Sequence, residues 1–188
     1  MSQWNANGLK KHTAELKNLL TSKSGLYDII CIQETFLKPV SSYNIQGYVT
    51  IRRDRLDAAK GGLITLIKES IKYTREIDLT DVEALVITVK TNSGYITVSN
   101  VYISPNQTIE IGKLKPLFIN TQNVITGDLN AKSNLWGSPV SNHRGVMIES
   151  LLEEYDYSVL NTGKPTFQKF AGAMSHIVVN TSKQSYSK

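Results

Sequence analysis

Short apolar, β-branched runs that close on a polar residue recur along the chain, and they set its organisation. QWNANGL (Gln3 to Leu9), DIICIQET (Asp28 to Thr35), ITVSNVYISP (Ile96 to Pro105) and VITGDLN (Val124 to Asn130) each predict a strand that delivers functional groups to the end of a sheet. Between the first two, Leu9, Leu16, Leu19 and Leu20 recur at helical spacing, predicting an amphipathic helix closed by Ser24 and Gly25 and a βαβ opening that ends at Glu34. Thr35 to Tyr48 reads as a loop. Charge accumulates along GYVTIRRDR, which marks an edge strand, and Gly61 and Gly62 turn into a further strand, LITLIKESI. ALVITVK alternates, Asn92 to Gly94 supplies hairpin chemistry, and YITVSNVYI returns. Ile111 to Phe118 predicts a short helix. Arg144 to Tyr155 predicts an amphipathic one, with Val146, Ile148, Leu151 and Leu152 facing inward. With no internal repeat or linker, 188 residues make one domain of mixed αβ layers over a sizeable core.

The formal net charge of +5 fits an anionic partner such as DNA, but apart from Arg52, Arg53 and Arg55 the basic side chains are dispersed. The single cysteine, Cys31, excludes an intrachain disulfide and a cysteine-based zinc site, and its apolar setting predicts a buried thiol. No apolar stretch is long enough to cross a membrane as a helix, and the amino terminus lacks a secretory layout. The expected compartment is intracellular, cytoplasm or nucleus, rather than secreted.

Candidate chemistry concentrates at the strand ends. After the apolar Val124 and Ile125, Gly127 permits a tight exit, and Asp128 and Asn130 project with period-two spacing toward one pocket. A carboxylate beside an amide suits a phosphoryl group: one ligates a hard cation or orients a water, and the other donates to a non-bridging oxygen. Gly-Asp-x-Asn is also ordinary turn chemistry. What sets it apart is company, since Asn5, Asn7, Glu34 and Tyr102 end or follow the other strands.

In this order and with these neighbours, the motifs resemble the endonuclease/exonuclease/phosphatase superfamily. GYVTIRRDRLDAAKGGLITLIK (Gly47 to Lys68) and NLWGSPVSNHRG (Asn134 to Gly145) resemble more narrowly the endonuclease domain of non-LTR retrotransposons. The resemblance implies a DNase I-like fold, a two-layer sandwich of mixed β-sheets flanked by helices. It implies a magnesium-dependent DNA endonuclease, with manganese as an alternative ion, DNA as partner, and neither a membrane nor a small-molecule cofactor. It also assigns roles. Glu34 would ligate the metal, Asn5 would join the metal and phosphate shell, and Tyr102 would contact the phosphate. Asp128 would orient or deprotonate the water, Asn130 would position the scissile group, and Asn7, where repair-type members carry Asp, would stand behind them. Asn142 and Arg144 would approach a DNA strand, although Arg144 also suits plain solvent in a first helical turn.

Two departures temper the expected activity. The first strand looks clipped, with Met1 two residues before QWN. The segment AMSHI (Ala173 to Ile177) is followed by Val178, where the resemblance implies an Asp, and no Ser-Asp-His follows. Neither His143 nor His176 sits in that motif. The domain is therefore expected over residues 1–180, truncated, with a polar tail at 181–188. The leading expectation is an endonuclease of impaired turnover. The alternatives are an inactive remnant that at most binds nucleic acid, and a phosphatase or abasic-site nuclease of the same superfamily.

Overall fold

The computed structural model describes residues 1–22, 26–56, 60–75, 82–120 and 122–160, together with the backbone of two short strands at 167–168 and 174–175. The expectations for Ser24, Gly25, His176, Val178 and the tail at 181–188 lie outside the described residues.

Two four-stranded sheets face each other. The first has the order β1 (Ser2–Asn5), β2 (Ile29–Gln33), β4 (Leu63–Lys68), β3 (Tyr48–Arg53); the second has β5 (Tyr73–Arg75), β6 (Glu83–Thr91), β7 (Gly94–Tyr102), β8 (Asn123–Asp128). A separate pair, β9 (Phe167–Gln168) and β10 (Met174–Ser175), is antiparallel. The charged GYVTIRR run forms edge strand β3, and β6 and β7 form the expected hairpin around Asn92 and Ser93. Strand β5 carried too weak a pattern to be foreseen: three exposed residues paired to β6.

Period-two alternation explains the layers. Ile29, Cys31, Ile51, Leu63 and Ile67 of the first sheet pack against Leu85, Ile87, Val89, Val98 and Tyr102 of the second. Their neighbours point outward: Ile30, Ile32, Ile64 and Leu66 meet Leu9 and Leu16, at and just before helix α1 (Thr13–Ser22). On the other side Ala84, Val86, Val101 and Ile125 meet Ile148, Leu151 and Leu152 of helix α3 (His143–Glu154). The short helix α2 (Ile111–Leu114) and the 3-10 turn at Lys115–Leu117 pack Leu114, Leu117 and Phe118 onto that face. This is the sandwich of mixed sheets flanked by helices that the sequence implied.

Two inward assignments are corrected. Val146 is 50% exposed, because α3 turns the Ile148, Leu151 and Leu152 stripe to the sheet. Leu19 is 39% exposed, because α1 begins only at Thr13 after a 3-10 turn over Leu9–His12, which breaks the register assumed from Leu9. Among the described residues no helix is long and apolar enough to cross a membrane.

Candidate active site at four strand ends

Strands β1 and β2 are parallel, as are β7 and β8, and the carboxyl ends of all four meet. The Asn5 amide links them: its Nδ2 donates to Glu34 Oε1 at 2.8 Å and to Asp128 Oδ2 at 2.7 Å. One side chain thus ties two acids that lie on different sheets. Its Oδ1 accepts the Asn7 backbone N–H at 3.0 Å, which fixes the amide orientation. Asn5 was expected to serve a metal and phosphate shell, but it turns its nitrogen, not its oxygen, toward the acids.

Backbone strain gathers around this junction. Asn7, Glu34, Phe36 and Asn130 all have left-handed φ, at 43°, 51°, 55° and 49°. Asparagine tolerates this region, whereas for Glu and Phe it costs about 1–2 kcal/mol each. The surrounding ladder holds them there. Ala6 and Gly8 donate to the Gln33 and Glu34 carbonyls at 2.9 and 2.8 Å, and Phe36 donates to Gly61 at 2.9 Å. Such strain re-aims the Glu34 carboxylate toward β8 instead of letting it alternate away.

Asp128 is 9% exposed. Burial raises its pKa above the ordinary carboxylate value, the Asn5 bond and the Asn130 backbone N–H (3.0 Å) oppose that rise, nearby Glu34 adds to it, and the charge of Arg144 opposes it. Gly127 is not the exit from the strand. It lies inside β8 at φ 144°, where a Cβ would stand 1.9 Å from the Val101 carbonyl oxygen, so only glycine lets β8 close on β7 at this point. Tyr102 pairs in register with Asp128 and is 4% exposed, part of the inter-sheet core as well as the site. Its hydroxyl faces Glu34. Burial, reinforced by the Glu34 and Asp128 carboxylates, pushes the phenol well above its usual value and keeps it a donor.

Three expected residues do other work. The Asn130 side chain donates to the Ile103 carbonyl at 3.0 Å, locking the turn after Asp128 rather than reaching out. Asn142 caps α3: its Oδ1 accepts from Gly145 N at 2.8 Å and Lys132 N at 3.0 Å, and its Nδ2 donates to the Asn130 carbonyl at 3.1 Å. Arg144 is neither in plain solvent nor extended toward a ligand. It donates to the carbonyls of Leu129 (2.9 Å), Ser104 (3.1 Å) and Gln107 (2.6 Å), clasping the loops after β7 and β8 together. Trp136 completes this scaffold, 2% exposed with Nε1 on the Ala131 carbonyl at 3.0 Å. Asn7 is exposed beyond the turn it forms.

Sequence reasoning missed the support beneath the site. On the inward face, Gln33 donates to Asn100 Oδ1 at 2.6 Å, and Asn100 donates to the Ile64 carbonyl at 2.9 Å and to Thr65 Oγ1 at 3.3 Å. Gln33, Thr65 and Asn100 are each at most 1% exposed, so this is a sealed polar seam joining the sheets. An amide at an inward position of TVSNVY was the available signal. Cys31 is buried, and burial pushes its thiol up to about 12, which leaves it inert.

Residues 96–182 match the family model described as "Endonuclease-reverse transcriptase". The fold superposes on the endonuclease domain of TRAS1, a telomere-specific non-LTR retrotransposon, with TM-score 0.81 and 23% identity, covering 97% of this chain and 83% of that one. By these likenesses the chain is similar to retrotransposon endonuclease domains and shares their fold. Across 172 residues the chain is 28% identical to the RNA-directed DNA polymerase from mobile element jockey of Drosophila melanogaster, over 89% of this chain and 19% of the relative. The domain spans about a fifth of the length of the curated relatives it matches. An AP endonuclease from Leishmania major shares the fold at TM-score 0.61 and 16% identity, covering 83% of this chain and 66% of that one.

Proposed function

We propose that this domain is a divalent-metal-dependent DNA endonuclease that nicks a target strand by phosphodiester hydrolysis. The observation that carries the reading is the Asn5 amide held between Glu34 and Asp128, which places two acids from separate sheets at one point. Their donor set is all oxygen and suits magnesium, with manganese as an alternative, since such ions take one or two carboxylates and complete their shell with water and phosphate. Glu34, half-buried, would hold the ion beside Asp128, whose two oxygens accept from Asn5 Nδ2 and the Asn130 N–H. When bound, the ion would supply charge neutralisation for the phosphoryl oxygens.

The chain's own groups have distinct tasks in this reading. Asp128, with its raised pKa, is suited to accept a proton from the attacking water. Tyr102, kept protonated, would turn its single O–H from Glu34 to a phosphate oxygen once Glu34 holds the ion. Asn5 keeps the acids in register while Asn130, Asn142 and Arg144 hold the loop that carries Asp128. DNA as substrate is supported by the nuclease relatives and by the net charge of +5.

Supercoiled plasmid, incubated with Mg²⁺ or with EDTA, tests this. Conversion to open circle in magnesium alone, lost in Asp128→Asn, supports the endonuclease. Binding to DNA without nicking in either condition would instead identify a non-catalytic binding remnant. Release of inorganic phosphate from a 3′-phosphorylated strand without nicking would identify a phosphatase.

A further inference from the structure

Beside Tyr102 lies a cleft that the strand-end site does not use. Glu83, which pairs in register with Tyr102, forms its floor, and Arg55, Ser104, Asn106 and Gln107 line its walls. Glu83 is 9% exposed. One of its oxygens accepts the Gly62 backbone N–H at 2.5 Å, and the other takes the Arg55 guanidinium. Arg55 is thereby laid over the Tyr102 ring, 5.8 Å from its centroid. Gly61 makes the room: at φ +91° a Cβ there would stand 2.8 Å from Arg55 Nε.

This arginine is fixed on three sides, by a buried acid, an aromatic face and a glycine turn, yet its side chain stays 25% exposed at the cleft. A guanidinium has five N–H donors in a rigid plane, and one carboxylate cannot take them all. Holding it in place beforehand removes the ordering entropy that a free arginine loses on binding an oxyanion. An ion pair kept only for packing would need neither an open outer edge nor an aromatic platform. Tyr102 is common to both sites, its ring under Arg55 and its hydroxyl at Glu34. The opposite wall is equally fixed, because Arg144 binds the Ser104 and Gln107 carbonyls and that of Leu129 next to Asp128.

We propose that Arg55 binds the phosphodiester neighbouring the one at the Glu34–Asp128 pair, with the Asn106 and Gln107 amides along the same nucleic-acid strand. This rests on the endonuclease reading. Arg55 and Glu83 are its working pair: Arg55 touches the phosphate, and Glu83 positions Arg55.

Fluorescence anisotropy with a labelled DNA duplex, in calcium and across a potassium chloride series, tests it without cleavage. Arg55→Ala should weaken binding about tenfold at low salt and reduce the salt slope by about one. Arg55→Lys keeps a charge beside Glu83 but loses the plane, and should weaken binding about threefold. It also decides the matter should the alanine variant fail to fold. Lys17→Ala, on the exposed face of α1, should change neither quantity. Arg55 variants that retain the wild-type melting temperature, affinity and slope would overturn the site and leave the endonuclease reading standing. An equal loss from Lys17→Ala would overturn it too, by showing binding to be diffuse. If the wild-type domain binds no DNA at all, both readings fall.

Discussion

The interface between the two sheets has one apolar end and one polar end. At the first, Ile87, Val89 and Val98 meet Ile29 and Ile67 with nothing to satisfy but volume. At the second, along the same strands, Gln33, Thr65 and Asn100 form a closed hydrogen-bonded seam that leads to Asn5, Glu34 and Asp128. The apolar end gives stability cheaply, since each buried side chain gains about 1.5–3 kcal/mol. The polar end gives position at a thermodynamic cost, with a buried acid and left-handed φ angles held in place by the rest of the fold.

Four measurements sharpen or break that contrast. Ile87→Ala should have the largest effect on stability, about 2–5 kcal/mol in denaturant unfolding, because Ile87 is 0% exposed and the cavity cannot refill. Nicking per folded molecule should stay at the wild-type level; a specific loss would show that the two ends are coupled. Asp128→Asn should do the reverse, lowering nicking by about 10²–10³ while the fold persists. Equal nicking by that variant would dismiss Asp128 from the chemistry.

Arg144→Met should come next, at about 1–3 kcal/mol of stability, because the carbonyls of Leu129, Ser104 and Gln107 lose a charged donor. Its salt slope for DNA binding should match the wild type. A reduced slope would return Arg144 to the role of phosphate contact. The smallest effect concerns pH. With its folded-state pKa raised, Asp128 holds a proton more tightly in the folded than in the unfolded chain, so the metal-free domain should lose stability as pH rises from about 4 through the folded value. Thermal melts of wild type and Asp128→Asn should diverge over that window, the wild type falling more; parallel curves would show that the acid is not strained by burial.

The Asn134 to Gly145 run illustrates why resemblance and role part company. Asn142 and Arg144 were expected to approach DNA, yet Asn142 is a helix cap and Arg144 is a clasp, and Trp136 of the same run is core. A motif shared with relatives marks what a fold needs as readily as what a substrate meets. Arg55 is the converse. It stood in the sequence as one of three clustered arginines, and only the fold sets it on Tyr102 with Glu83 beneath.

Alternation and helical spacing determined the main strands other than β5, their inward faces, the hairpin and the two main helices, because those periods follow from backbone geometry that is local to each segment. The polar strand ends were legible too, as Asn5, Glu34, Tyr102 and Asp128, since a polar residue closing an apolar run is a local event. Only the tertiary structure decided which amide joins the acids, which residues bear left-handed φ, and that Asn130, Asn142 and Arg144 face backbone carbonyls. Those are relations between residues separated by up to 123 positions, as Asn5 is from Asp128. Hydrogen-bond direction and charge pairing over such distances leave no period in a sequence, and they exist only once the sheets have packed.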